Sequence, residues 1–77
     1  MCLAIPSRIV EIFEDSNMAK VETMGAVREA CLDLMPEQVE VGDYILLHVG
    51  YAIRKLDEAY ALEAIQFYEE LIAQDEK

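Results

Sequence analysis

The sequence predicts a small, mainly β domain: a closed β-barrel or strongly coiled sheet, followed by a C-terminal α-helix. Short stretches rich in β-branched and aromatic residues follow one another up to about residue 55, with turn residues between them. The apolar periodicity then changes from that of strands to that of a helix. A chain of 77 residues supports one core, so we expect a single domain over residues 1–77, with the barrel at approximately 1–55 and the helix at approximately 57–74.

The first two strands are predicted at residues 7–14 and 18–23. Residues 7–14, SRIVEIFE, alternate imperfectly because apolar side chains fall on both faces. This pattern suits a strand that is buried on one side and partly covered on the other. Residues 15–17, Asp-Ser-Asn, are typical of a turn, and the following MAKVET predicts a strand with Ala19 and Val21 facing inward.

A third strand is predicted at residues 26–34, where polar and apolar residues alternate again. The alternation assigns Ala30, Leu32 and Leu34 to the core face. Pro36 ends this strand because proline cannot donate a backbone hydrogen bond to a sheet.

The most apolar stretch, YILLHVGYAI at residues 44–53, predicts one central strand covered on both faces. Gly50 interrupts this stretch, and a glycine inside a strand usually marks a bulge or a bend. We therefore expect four or five closely spaced strands, enough for a small barrel.

The C-terminal helix is predicted to begin after Asp57, whose carboxylate can cap its first turn. The helix should run for about four turns. Its apolar stripe can pack against the barrel or bind a partner, and packing against the barrel is the preferred interpretation. The stripe consists of Ala61, Leu62, Ile65, Tyr68, Leu71 and Ile72.

The charge balance limits the possible partners. Six Lys and Arg residues stand against sixteen Asp and Glu, a formal net charge of -10. Such a surface repels phosphate backbones and anionic lipids, which opposes nucleic-acid and membrane binding. The apolar start, CLAIP, is too short for a signal segment, and no stretch approaches the roughly twenty apolar residues of a membrane span. We therefore expect a cytoplasmic protein with reduced thiols.

Cys2 directly follows the initiator methionine. Once Met1 is removed, the thiol and the free α-amino group of Cys2 can chelate a metal together, or the thiolate alone can serve as a soft ligand. A bound cation would remove the protons from both groups. The alternative is an incidental terminal thiol, and the position alone leaves both interpretations open.

His48, the chain's one histidine, lies in the apolar segment LLHVGY, on the strand face opposite Leu47 and Val49. It is either a strand histidine bonded to backbone or a ligand. Cys31 is interpreted as a small apolar strand residue. Cys2 and His48 alone fall short of a four-ligand structural zinc site, so a site built on them needs ligands from a partner or from exogenous molecules. The sequence lacks a glycine-rich phosphate loop, a CxxC motif and an evident catalytic triad, so it is not expected to be an enzyme.

Two stretches of the sequence carry a family resemblance. MCLAIPSRIVEI and VGDYILLHVGYAIRKLDEAYA resemble the HypC/HupF/HybG family of [NiFe]-hydrogenase maturation chaperones over almost the whole chain. The resemblance implies a small OB-like β-barrel with a C-terminal helix and a role as an accessory protein rather than an enzyme. It also implies two partners, the maturation protein HypD and the hydrogenase large-subunit precursor. Iron would be carried as a transient Fe(CN)2CO cargo, without a permanent cofactor.

The same resemblance assigns the site residues. The family's N-terminal cysteine corresponds to Cys2, as iron ligand and partner anchor, and its histidine to His48, at the same iron unit or at the HypD interface. The hydrophobic residues beside the cysteine would form the docking surface. These are Leu3, Ala4, Ile5 and Pro6. Many members have glycine where this chain has Ser7, which changes the backbone freedom after Pro6.

Three other functions remain open. The chain could be a pure protein-binding module in which Cys2 anchors the partner without touching metal. It could be a thiol-redox protein that uses Cys2 and Cys31. An OB-type nucleic-acid binder is the third, and the net charge of -10 opposes it.

Overall fold

The computed structural model describes the backbone of residues 4–75 and the side chains of residues 4–71. Its strands and its helix follow the predicted order, with strands first and a helix last. They are β1 (Ala4–Phe13), β2 (Met18–Thr23), β3 (Ala26–Cys31), β4 (Tyr44–His48), β5 (Tyr51–Leu56) and α1 (Glu58–Asp75).

The five strands close into a barrel in the order β1-β2-β3-β5-β4, with β4 returning to β1. Neighbouring strands are antiparallel except β3 and β5, which run parallel and pair at Cys31 and Tyr51. A closed five-stranded barrel with one C-terminal helix confirms the predicted fold class, a small OB-like barrel.

β1 is the strand that closes the barrel, because its first half pairs with β4 and its second half with β2. It runs from Ala4 to Phe13, whereas residues 7–14 were predicted. A bulge between Ile9 and Glu11 inserts one extra residue and resets the alternation. Ile9 and Ile12 therefore both reach the core, which explains the imperfect alternation of the sequence.

β2 has the predicted bounds, and its inward residues Ala19 and Val21 are buried as expected. β3 ends at Cys31 instead of continuing to residue 34. Leu32 is still buried, but the Met35 amide donates to the Leu32 carbonyl at 3.1 Å, so the chain turns there. The prediction that Leu34 faces the core is wrong, because this turn leaves its side chain 58% exposed.

Residues 44–53 do not form one strand, so that prediction is also wrong. β4 and β5 are the arms of a hairpin whose two-residue turn is Val49 and Gly50. Gly50, predicted to mark a bulge or a bend, is the second residue of this turn with φ 84°, and the bulge of this stretch lies at the register shift between Leu46 and Leu47. The sequence hides the turn because it contains Val-Gly in place of the usual Asn-Gly or Asp-Gly.

The core fills the barrel with side chains from all five strands and from the residue after β3. Larger aliphatic residues supply its bulk, and three alanines complete it. Its members are Ile9, Ala19, Val21, Ala30, Leu32, Ile45, Leu47 and Ala52.

Helix α1 begins as predicted, since the Tyr60 amide donates to Asp57 Oδ2 at 3.3 Å. The helix contacts β1 and β4, and Ala61 is fully buried. Leu62 and Leu71, predicted in the apolar stripe, are 48% and 44% exposed.

The barrel covers only part of the helix. Eighteen residues extend for about 27 Å, and among the described strands the helix makes several contacts only with β1 and β4. Ile65 and Tyr68 are half-buried, so only part of the apolar stripe packs against the barrel as predicted. The side chain of Ile72 lies outside the described residues. Over residues 4–75 there is no helix with the length and apolarity needed to cross a membrane.

Candidate functional site

The first residue of β1 and the last residue of β4 lie directly opposite each other at one end of the barrel. Ala4 pairs with His48, and His48 pairs in turn with Tyr51 at the start of β5. Side chains of directly opposed residues share one face of a sheet, so Ala4 and His48 face the same side. The predicted site residues Cys2 and Leu3 lie outside the described residues.

The imidazole of His48 is exposed at this end. Its neighbour Leu47 is only 7% exposed and belongs to the core, which confirms that the two side chains lie on opposite faces. Val49 was expected on the same face as Leu47, and that expectation is wrong. The turn begins at Val49 and leaves its side chain 69% exposed.

The N-terminal arm, defined here as Ala4–Pro6, is fixed against β4 residue by residue. Ile5 lies opposite Leu47, and Pro6 lies opposite Leu46. Ala4 and Ile5 are half-buried, whereas Pro6 is buried. Of the predicted docking residues within the described part of the chain, Ala4 and Ile5 are therefore accessible, and Pro6 fixes the arm to the barrel.

Two buried hydroxyl groups hold this arm from β1 and β2. The Thr23 hydroxyl donates to the Pro6 carbonyl at 3.2 Å, and Ser7 Oγ is hydrogen-bonded to Thr23 Oγ1. Ser7 is completely buried, and Thr23 is 9% exposed. Sequence reasoning missed this pair, although both residues fall at inward positions of their strands, two residues from Ile9 and Val21.

Helix α1 reaches the same end of the barrel through Tyr68. The Tyr68 hydroxyl donates to the Ala4 carbonyl at 3.4 Å, and the Tyr68 ring meets that of Phe67 edge to face. The sequence assigned Tyr68 only to an apolar stripe. A partly buried tyrosine usually finds a partner for its hydroxyl, and this tendency was the available signal.

A recess of about 230 Å³ opens beside the arm and the β4–β5 turn. Residues of β1, β4 and the turn form its apolar wall, and β3 contributes one positively and one negatively charged residue. The lining residues are Ile5, Leu47, Val49, Gly50, Arg28 and Glu29. Among the described side chains, no three His, Cys, Asp or Glu residues converge as a metal site.

Cys31 lies at the end of β3, half-buried and close to Asp33. The Asn17 amide donates to Asp33 Oδ1 at 2.7 Å. This bond, and after it the hydrogen bond with the Cys31 thiol, holds the pKa of the Asp33 carboxyl below its ordinary value. These contacts suit the structural interpretation of Cys31.

A larger cavity of about 670 Å³ lies at the other end of β1. Apolar residues such as Ile12 and Met35 and the carboxylates Glu14, Asp33 and Glu37 line it. None of the predicted site residues within the described part of the chain lies in its wall. The smaller recess is therefore the cavity associated with the candidate site.

Comparison with known proteins agrees with the resemblance found in the sequence. A sequence model of the HupF/HypC family matches residues 1–68. The hydrogenase maturation factor HypC of Helicobacter hepaticus is 54% identical over 72 residues, which cover 94% of this chain and 83% of that protein. HypC of Cupriavidus necator is 44% identical over 71 residues, 92% of this chain and 77% of the relative. HypC of Escherichia coli K12 is 38% identical over 74 residues, 86% of this chain and 80% of the relative. The chain belongs to the HupF/HypC family of hydrogenase maturation factors.

Proposed function

We propose that this maturation factor is a non-catalytic, cytoplasmic chaperone that binds HypD and the [NiFe]-hydrogenase large-subunit precursor and helps to deliver the Fe(CN)2CO unit. Cys2 and His48 would hold the iron unit, and Ala4 and Ile5, with Leu3, would contact the partner. One observation supports this proposal most strongly. In a chain with the family's motifs, the start of β1 pairs with His48, the residue predicted to act together with Cys2.

The reach of the chain supports a shared site. Cys2 precedes Ala4 by two residues, and two residues span at most about 7 Å. Ala4 lies directly opposite the exposed His48. The thiol of Cys2 and the imidazole of His48 can therefore approach one metal ion without any rearrangement of the barrel.

The chemistry of these two groups suits a cargo that must be passed on. Iron that carries cyanide and carbon monoxide is a soft centre, and thiolate is a soft ligand for it. One thiolate and one imidazole leave other positions free for ligands from HypD or from the precursor. Such a site can be loaded by one partner and emptied by the next.

The overall charge favours association with basic partner surfaces. The net charge of -10 keeps the free chaperone soluble and steers it electrostatically towards positive patches. Arg28 and Glu29 beside the recess place opposite charges next to each other, so the immediate rim of the site is close to neutral.

Anaerobic co-purification with HypD, followed by infrared spectroscopy of the cyanide and carbonyl stretching region, tests the proposal. Wild-type protein should carry both sets of bands, and Cys2→Ala should lose them. His48→Ala should lose them or shift them, because the imidazole no longer contacts the iron unit. Cys31→Ser is the control, since it removes a thiol that is hydrogen-bonded to Asp33 and is not assigned to the iron unit, and it should keep the wild-type spectrum.

The same preparations separate the alternatives. A stable HypD complex without iron or bands in any preparation would contradict iron delivery and favour the pure binding module. The redox alternative predicts a Cys2–Cys31 disulfide on mild oxidation, seen as a mass loss of two hydrogens. Normal hydrogenase maturation with Cys31→Ser would exclude that alternative.

A further inference from the structure

The hairpin turn at the candidate site holds an unusual residue. Val49 and Gly50 form its two central positions, with φ values of 51° and 84°. A two-residue hairpin turn with positive φ at both positions strongly prefers Asn, Asp or Gly at the first. Valine is poorly suited to this conformation because its branched Cβ crowds the backbone.

The other positive-φ residues of the chain show which side chains tolerate this backbone conformation. Within the described residues, three non-glycine residues have positive φ: Asn17, Met24 and Val49. Asparagine adopts this conformation at little cost, and methionine is unbranched at Cβ. Val49 is the β-branched member of the three and therefore carries the greatest strain.

The fold gains little in return for this strain. The Val49 side chain is 69% exposed, so it buries little apolar surface in the barrel. An asparagine at this position would relieve the strain and remove an exposed apolar group. A strained, exposed residue of this kind points to a function, because folding stability alone disfavours it.

The surroundings of Val49 indicate which function. The residue follows His48 directly and lines the apolar recess together with Ile5 and Leu47. Ile5 belongs to the N-terminal arm that continues towards Cys2. The valine therefore projects from the end of the barrel where the iron unit and the partner are proposed to meet.

We propose that Val49 is an apolar anchor that inserts into a hydrophobic recess on HypD, while the tight turn keeps it projecting beside His48. This inference rests on the proposed function, because it names a residue that would fix HypD at that same site. Val49 becomes buried only in the complex with HypD, so it contributes to binding and not to the stability of the fold. The backbone strain is retained for this reason.

The test compares unfolding and HypD binding for Val49→Asn. The variant should unfold at a higher denaturant concentration than wild type, because the turn strain is removed. It should bind HypD about ten-fold more weakly under anaerobic conditions, because a buried valine side chain is lost from the interface. Val49→Ile keeps the branched apolar side chain and should retain wild-type affinity.

Val41→Asn is the matched control. Val41 is also highly exposed, at 60%. It lies away from the site, because the amide of the next residue, Gly42, donates to the carbonyl of Ile9, further along β1. Its affinity for HypD should be unchanged. Equal affinities of Val49→Asn and wild type, or a loss of stability in Val49→Asn, would overturn the inference alone. If the wild-type protein does not bind HypD, the proposed function is overturned. The assignment of HypD as the partner of Val49 is then overturned as well.

Discussion

At the scale of single residues, the end of the barrel that holds the candidate site depends on hydroxyl groups inside it. Thr23 connects two strands, because it donates to the Pro6 carbonyl and is bonded to Ser7 Oγ. Sequence patterns could not predict this, since alternation identifies which residues point inward and not which polar groups meet. Ser7 thus contributes a buried hydrogen bond to this end of the barrel.

Replacement of Thr23 by valine should therefore destabilise the protein. The variant keeps the shape of the side chain but removes the hydroxyl that donates to the Pro6 carbonyl and bonds to Ser7 Oγ, at a cost of about 1–3 kcal/mol in the free energy of unfolding. Urea denaturation measures this difference. Thr23→Ser, which keeps the hydroxyl, should lose clearly less, and equal stability of Thr23→Val and wild type would contradict the role of this hydrogen bond.

Asp33 provides a prediction about pH. Hydrogen bonds from Asn17 and then from Cys31 lower the pKa of Asp33, so the folded state binds this proton less readily than the unfolded state. The resulting stabilisation is present above the unfolded pKa and is lost as the pH falls through the folded pKa. Asn17→Gly removes the side-chain amide, and glycine tolerates the positive φ of this position. The variant should show a raised pKa of Asp33 when the carboxyl carbon of Asp33 is titrated by NMR. An unchanged titration would show that the Asn17 amide does not stabilise the carboxylate.

At the scale of elements, the sequence predicted best where polar turns separate alternating strands. β2 has the predicted bounds because Asp-Ser-Asn precedes it and its alternation is clear. The β4–β5 hairpin was missed because its turn consists of Val49 and Gly50 in the most apolar stretch of the chain. A strained turn with an unfavourable residue gives no local signal, and only the closure of the barrel reveals it.

Helix α1 and the N-terminal arm are connected through Tyr68, which gives a prediction at this scale. Tyr68→Phe removes the hydroxyl that donates to the Ala4 carbonyl and keeps the ring. We expect a loss of about 0.5–1.5 kcal/mol in the free energy of unfolding, together with faster amide exchange at Ile5. Tyr60→Phe, on a residue that is 59% exposed, is the control and should change neither quantity. Equal behaviour of the two variants would contradict the connection.

At the scale of the whole molecule, strand spacing and the change of periodicity at Asp57 predicted a barrel followed by a helix. The strand pairing that closes the barrel could not be predicted, because β1 pairs with β4 through its first half and with β2 through its second half, and no sequence pattern indicates this change of partner. The candidate site depends on this closure, since it brings Ala4 and His48 together from distant parts of the sequence. The resemblance assigned the site to Cys2 and His48, and the topology places Ala4, two residues after Cys2, directly opposite His48.

Cys2 and His48 are proposed to hold one iron unit together at this end of the barrel. Iron K-edge X-ray absorption of the protein, isolated anaerobically after co-expression with HypD, tests it most directly. We expect a sulfur ligand to iron that disappears in Cys2→Ala and an imidazole contribution that disappears in His48→Ala. Iron without sulfur ligation in the wild type, or a spectrum that neither substitution changes, would contradict it.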